Sequence, residues 1–156
     1  MSSAYVVDAS VVLKLFVDEE LSGQARALLG RLALSEPDQF FAPDLFLAEC
    51  ASVLWKYVQF YGYDGEIARA NLADLSDLAI QTVSVASLFQ EAFEISCRLN
   101  IAVYDACYVA LAEGLGCPLV TADEILARRL AGEGLAALYL GDLPCMINRP
   151  AVDSEQ

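Results

Sequence analysis

Five short runs constrain this chain more than any other feature: Ala4–Val7, 39–42, 80–85, Leu119–Thr121 and 137–140. Each is too short to be a helix of its own, and most carry β-branched or aromatic residues, so each reads as a strand. The intervening stretches have helical spacing and helical punctuation. A helix is expected from about residue 10. A second covers 18–32, with Asp18, Glu19 and Glu20 suited to the positive end of its dipole. Pro43-Asp44 opens a long one ending near Gly62. Others are expected over 64–78, 86–99, 104–114, where GLGCP breaks the pattern, and 124–130. Such alternation predicts an α/β fold of three layers, with a mostly parallel sheet of about five strands between helices. Right-handed crossovers then bring the carboxyl ends of the strands to one edge, where ligand sites form. No internal repeat or linker is evident in the 156 residues. One domain over 1–143 is expected, with a loose tail over 144–156.

Composition narrows the chemistry. There is no histidine, which removes the commonest general base and soft-metal ligand. The formal charge of −13, from 22 acidic and 9 basic residues, argues against broad nucleic-acid binding through a basic surface. It leaves room for a nucleic-acid enzyme whose acids hold metal ions, and it suits a basic protein partner. Although 57% of residues are hydrophobic and the mean hydropathy is +0.46, no charge-free stretch reaches the roughly 18 residues of a spanning helix. No basic region precedes the first apolar run, so a cytoplasmic protein without a secretory leader is expected. Cys50, Cys97, Cys107, Cys117 and Cys145 form no CxxC pair and read as reduced thiols, mostly core filling.

Four acids then stand out. Asp8 sits between two apolar runs, where an unpaired charge is costly unless something positive or hydrogen-bonded meets it. Asp123 follows a strand, and either caps the next helix or joins a site at the strand end. Asp105 lies in the first turn of an apolar helix, again open to a dipole or a functional reading. Glu49 has Leu45, Phe46, Val53 and Leu54 around it at helical spacing, which puts it within or beside a buried face. Other acids need no site: Asp44 reads as a cap, Asp64 as a turn residue, Asp74 and Asp77 as a polar helix face, and Asp142 as a terminal turn. Carboxylates gathered at one edge repel one another when ionised. Hard cations with oxygen ligands relieve this, and Mg²⁺ or Mn²⁺ can also activate water and stabilise a phosphoryl oxygen. A metal-dependent phosphodiester or phosphoryl enzyme follows.

The stretches VVDAS, APDLFLAEC, RLNIAVYDACYVALAEGLGCPLVTADE and YLGDL, spanning about residues 4–143, together resemble the PIN-domain family, specifically the VapC-type toxin ribonucleases. The resemblance implies Mg²⁺- or Mn²⁺-dependent RNA cleavage by an activated water. Asp8 and Asp105 match the principal metal-binding aspartates, Glu49 and Asp123 the two acids that complete the cluster or hold metal-bound water. Ser10 and Thr121 match positions where a small hydroxyl supports the site. The resemblance also implies a homodimer held inactive by a cognate antitoxin. An antitoxin arginine or lysine entering the acidic cluster is one way that silencing would work. Trp55, Tyr57, Phe60, Tyr61 and Tyr63 crowd the end of the long helix, either as packing or as a dimer or antitoxin surface. A non-catalytic PIN-like module that only binds a partner is the alternative. A receiver-type phosphoacceptor lacks its adjacent acids and late lysine here, and a haloacid-dehalogenase-type start would need an acid at Ser10. For RNA phosphates the candidates are Lys14, Arg26, Arg31, Lys56, Arg128 and Arg129.

Overall fold

Val6 and Val7 are fully buried, so the first strand, β1 (Ala4–Val7), needs neighbours on both edges and both faces. The computed structural model, which describes residues 2–145, supplies them. β2 (Gln39–Pro43) and β4 (Leu119–Thr121) flank β1, while β3 (Ile80–Val83) and β5 (Ala137–Tyr139) take the edges. The order is β3-β2-β1-β4-β5, and every pairing is parallel. The helices α1 (Ala9–Val12), α2 (Ser22–Leu29), α3 (Leu45–Phe60), α4 (Gly65–Asp77), α5 (Phe89–Leu99), α6 (Val103–Leu115) and α7 (Glu124–Gly132) flank this sheet. The chain walks outward from β1 to β3, returns through α5 and α6, and walks outward again through β4 to β5. The reversal falls between β1 and β4, which makes their carboxyl ends the switch point.

The core has one dominant helix. Every residue of α6 from Ala106 to Ala112 is buried, as it must be where the helix crosses β1, β2 and β4. A helix apolar all round is stable only in such a place. The same packing points the amino end of α6, with Asp105, at the switch-point edge.

Several local expectations are corrected. The second helix starts at Ser22, not at residue 18, because Leu21 adopts a left-handed conformation (φ 69°) and the Ser22 hydroxyl takes the Glu19 amide at 3.0 Å. Asp18, Glu19 and Glu20 thus form a turn before the helix. Asp44 is no cap: its backbone is helical, and its Oδ1 accepts the Val85 amide at 3.0 Å, stitching the end of β2 to the chain after β3. Asp64 does cap α4, accepting the Glu66 and Ile67 amides at 2.7 and 3.2 Å. β3 stops at Val83 because Ser84 caps a single 3₁₀ turn. The tail expected from residue 144 lies, from residue 146 onward, outside the described residues.

Candidate active site

Residue 8 follows β1 directly, and its amide donates to the Val120 carbonyl at 3.0 Å, so Asp8 stands beside the end of β4. Its carboxylate caps α1, with Oδ1 accepting the Ser10 amide at 3.4 Å. Oδ2 accepts the Thr121 hydroxyl at 2.8 Å. Thr121 Oγ1 in turn accepts the Asp123 amide at 3.1 Å, and Ser10 Oγ accepts the Ala122 amide at 3.2 Å. Thr121 is fully buried, so its hydroxyl is committed to these two partners. The two hydroxyls singled out in the sequence therefore tie the end of β4 to the start of α1.

Asp123 takes the capping role that was one of its two readings. Its Oδ1 caps α7 by accepting the Leu126 amide at 3.0 Å, and its charge acts on Asp105. Asp105 lies half-buried in the first turn of α6. Burial, reinforced by the Asp8 and Asp123 charges, pushes its carboxyl up to about 6. Burial also raises Asp8, while the hydrogen bonds from Thr121 and Ser10 act in the opposite direction. Glu49, one turn into α3, is raised by burial and by the Asp8 and Asp105 charges, against a hydrogen bond from Tyr108. Charge repulsion thus links Glu49 to Asp8 and Asp105, and Asp105 to Asp8 and Asp123. None of them makes an ion pair among the described residues.

Tyr108 is the residue that sequence reasoning passed over, although it stood in the quoted motif. It is buried, and its hydroxyl donates to Glu49 Oε1 at 2.6 Å. Tyr108 lies three residues after Asp105 on the same helical face, but its partner stands 59 residues away on α3, which no local signal shows. Beside Glu49, burial pushes the Cys50 thiol up to about 12, so it remains a protonated core group.

A cleft of about 290 Å³ opens over Asp8 and Glu49, lined also by Ser10, Lys14, Glu19 and Val53. Its donors are carboxylates and hydroxyls with no imidazole and no thiolate, a set that fits a hard divalent cation and not a soft one. Among the described residues, no three acidic or thiol side chains already stand close enough together to cage an ion. Magnesium commonly takes only one or two protein carboxylates and keeps several waters, which such an arrangement allows.

Comparison with known proteins agrees with this geometry. The family model described as PIN domain matches residues 5–132. Ribonuclease VapC3 of Pyrobaculum aerophilum is 36% identical over 126 residues, covering 80% of this chain and 92% of that protein. Among solved structures, PAE2754 from Pyrobaculum aerophilum superposes with a TM-score of 0.65 at 24% identity, covering 91% of this chain and 94% of that one. A toxin–antitoxin complex from Klebsiella pneumoniae gives a TM-score of 0.59 at 16% identity, covering 87% and 97%.

Proposed function

The chain belongs to the PIN-domain family and is of the VapC type, and on that premise we propose that it is a divalent-metal-dependent endoribonuclease, the toxin of a toxin–antitoxin pair. One observation carries the reading: charge repulsion links Asp105 to Asp8, Glu49 and Asp123, and among the described residues the hydrogen bonds to Asp8, Glu49 and Asp123 come from hydroxyls and amides. Asp8 and Asp105 would be the principal ligands of a Mg²⁺ ion, or of Mn²⁺ in its place. Glu49 and Asp123 serve a second ion or act through water. The bound metal supplies an activated water and charge stabilisation on the phosphoryl oxygen.

The chain's own residues prepare that chemistry. Thr121 and Ser10 hold the Asp8 carboxylate in one orientation, and Tyr108 does the same for Glu49. Burial and neighbouring charge raise the proton affinities of Asp8, Glu49 and Asp105, and a cation beside them would favour their ionised forms. The kinship to VapC ribonucleases and the likeness to a toxin–antitoxin complex support RNA as substrate and an antitoxin as partner. No single helix among the described residues is long and apolar enough to cross a membrane. Cysteines scattered without a CxxC pair support a reducing, cytoplasmic setting.

The test is cleavage of a long mixed-sequence RNA by the wild type and by Asp8→Asn and Asp105→Asn, with Mg²⁺, Mn²⁺ or EDTA. Metal-dependent cleavage lost in both variants is the expected result. Cleavage indifferent to EDTA and to both substitutions would sink the metal-site reading. An inert wild type would leave a partner-binding module.

A further inference from the structure

The cleft over Asp8 and Glu49 has one basic residue in its wall, Lys14. The other basic candidates are occupied elsewhere. Arg26 faces Asp18, and Arg31 pairs with Asp38 and lies over Tyr5. Arg128 pairs with Asp142 and Glu124, and Arg129 donates to the Leu99 and Asn100 carbonyls. Lys56 is exposed on α3 and does not line the cleft.

Lys14 is also held in an unusual way. Its side chain is only 12% exposed, rare for lysine, and its Nζ donates to Glu19 Oε1 at 3.1 Å. Glu19 is itself positioned from two sides. The Tyr57 hydroxyl of α3 donates to its Oε2 at 3.2 Å, and Ser22 Oγ accepts its amide at 3.0 Å. The turn that carries it runs into the left-handed Leu21, a conformation that costs a non-glycine residue energy. A partly exposed ion pair contributes little stability, so fold stability alone is a weak reason for this arrangement. A cation kept at the wall of an acidic cleft has a clearer use toward an anionic strand.

We propose that Lys14 binds a phosphate of the RNA strand in the cleft, exchanging Glu19 for a phosphate oxygen, while the Tyr57-held Glu19 keeps its ammonium in position when no strand is present. This inference rests on the ribonuclease reading and adds to it the residue that receives the backbone. It also answers how a chain of charge −13 brings a polyanion to its most acidic region. The contact is to backbone, so it contributes affinity without base preference.

The experiment compares the wild type with Lys14→Met, Lys14→Arg and Glu19→Gln in Mn²⁺, using a long mixed-sequence single-stranded RNA as the probe. Lys14→Met is expected to raise KM roughly tenfold, the effect of one charge-assisted hydrogen bond, with kcat within about twofold. Its plot of log kcat/KM against log salt should flatten by about 0.7, one single-strand phosphate contact. Lys14→Arg should restore both. Glu19→Gln breaks the same ion pair yet should leave KM at or below the wild-type value. If Lys14→Met and Glu19→Gln shift KM, slope and melting temperature alike, Lys14 is only a structural partner and the proposal fails. An active wild type with a kinetically indifferent Lys14→Met overturns this proposal alone. A wild type inert toward RNA overturns the ribonuclease reading and this inference with it.

Discussion

Thr121 shows how much rests on single groups in this site. Its buried hydroxyl donates to Asp8 and accepts from the Asp123 amide. Thr121→Val keeps the shape and leaves both partners unpaired, so a loss of about 1–3 kcal/mol is expected in urea unfolding, with Thr121→Ser close to wild type. Tyr108→Phe removes the donor to Glu49, and with it the hydroxyl that meets the Ala9 amide. It should weaken the Mn²⁺-induced rise in melting temperature and lower cleavage roughly tenfold, while the EDTA melt changes little. Asp105 carries the pH dependence. Its carboxyl titrates near about 6 in the fold against an ordinary value of 3.8, so the folded state holds the proton longer than the unfolded one. The associated stability is present below 3.8 and is lost as pH rises through about 6. In EDTA, the wild type should therefore lose melting temperature relative to Asp105→Asn between those values, and the gap should close when Mn²⁺ is added. A gap that is independent of pH would mean that Asp105 is not coupled to the cluster. At this scale Asp8, Glu49, Asp105 and Asp123 were legible as acids in apolar settings. Tyr108 was not, because an apolar-looking aromatic in a buried helix shows its hydroxyl bond only once the facing helix is known.

Elements were legible to the extent that local chemistry decides them. Four-residue apolar runs became strands, and α3 begins where Pro43-Asp44 announces it. Two aspartates of similar appearance then part company. Asp64 has extended backbone geometry and caps α4, so Asp64→Ala should cost about 1 kcal/mol in denaturant unfolding with cleavage unchanged. Asp44 spends its carboxylate on the Val85 amide across the sheet, a partner 41 residues away. No local rule separates the two. The turn of residues 18–21 is a similar case: three acids before an apolar stretch look like a helix start, but the Ser22 hydroxyl and left-handed Leu21 hold them outside it.

On the whole molecule, the aromatic end of α3 remains uncovered. Trp55, Phe60 and Tyr61 are 55%, 69% and 75% exposed, with Trp55 and Phe60 in edge-to-face contact at 5.9 Å. Tyr57 and Tyr63 turn inward instead, to Glu19 and to Asn71 and the Phe16 carbonyl. The crowd of aromatics thus divides into packing and surface, the two readings the sequence left open. Exposed aromatics of this size suit an interface, and the homodimer that the family resemblance implies is one partner that would cover them. Light scattering should give a dimer for the wild type and a monomer for the double substitution Trp55→Asp and Phe60→Asp. In Phe60→Asp alone, which keeps the single tryptophan, Trp55, its emission should shift to longer wavelength as the dimer is lost. A monomeric wild type would remove this assignment and leave the face for another partner.

The order of amino acids by itself determined that strands and helices alternate, that the chain lacks histidine, and that Asp8 and Glu49 sit among apolar residues while Asp105 and Asp123 stand at helix starts. Periodicity, propensity and charge are local quantities, and they are present in the chain before it folds. Tertiary structure alone decided that the reversal of strand order falls between β1 and β4, so that Asp8 meets a hydroxyl 113 residues away. It also decided that Tyr108 reaches Glu49 across 59 residues, and that among the described basic residues Lys14 lines the cleft. Those pairings follow from which strands lie side by side and how α6 crosses them, and burial of the shared core sets both.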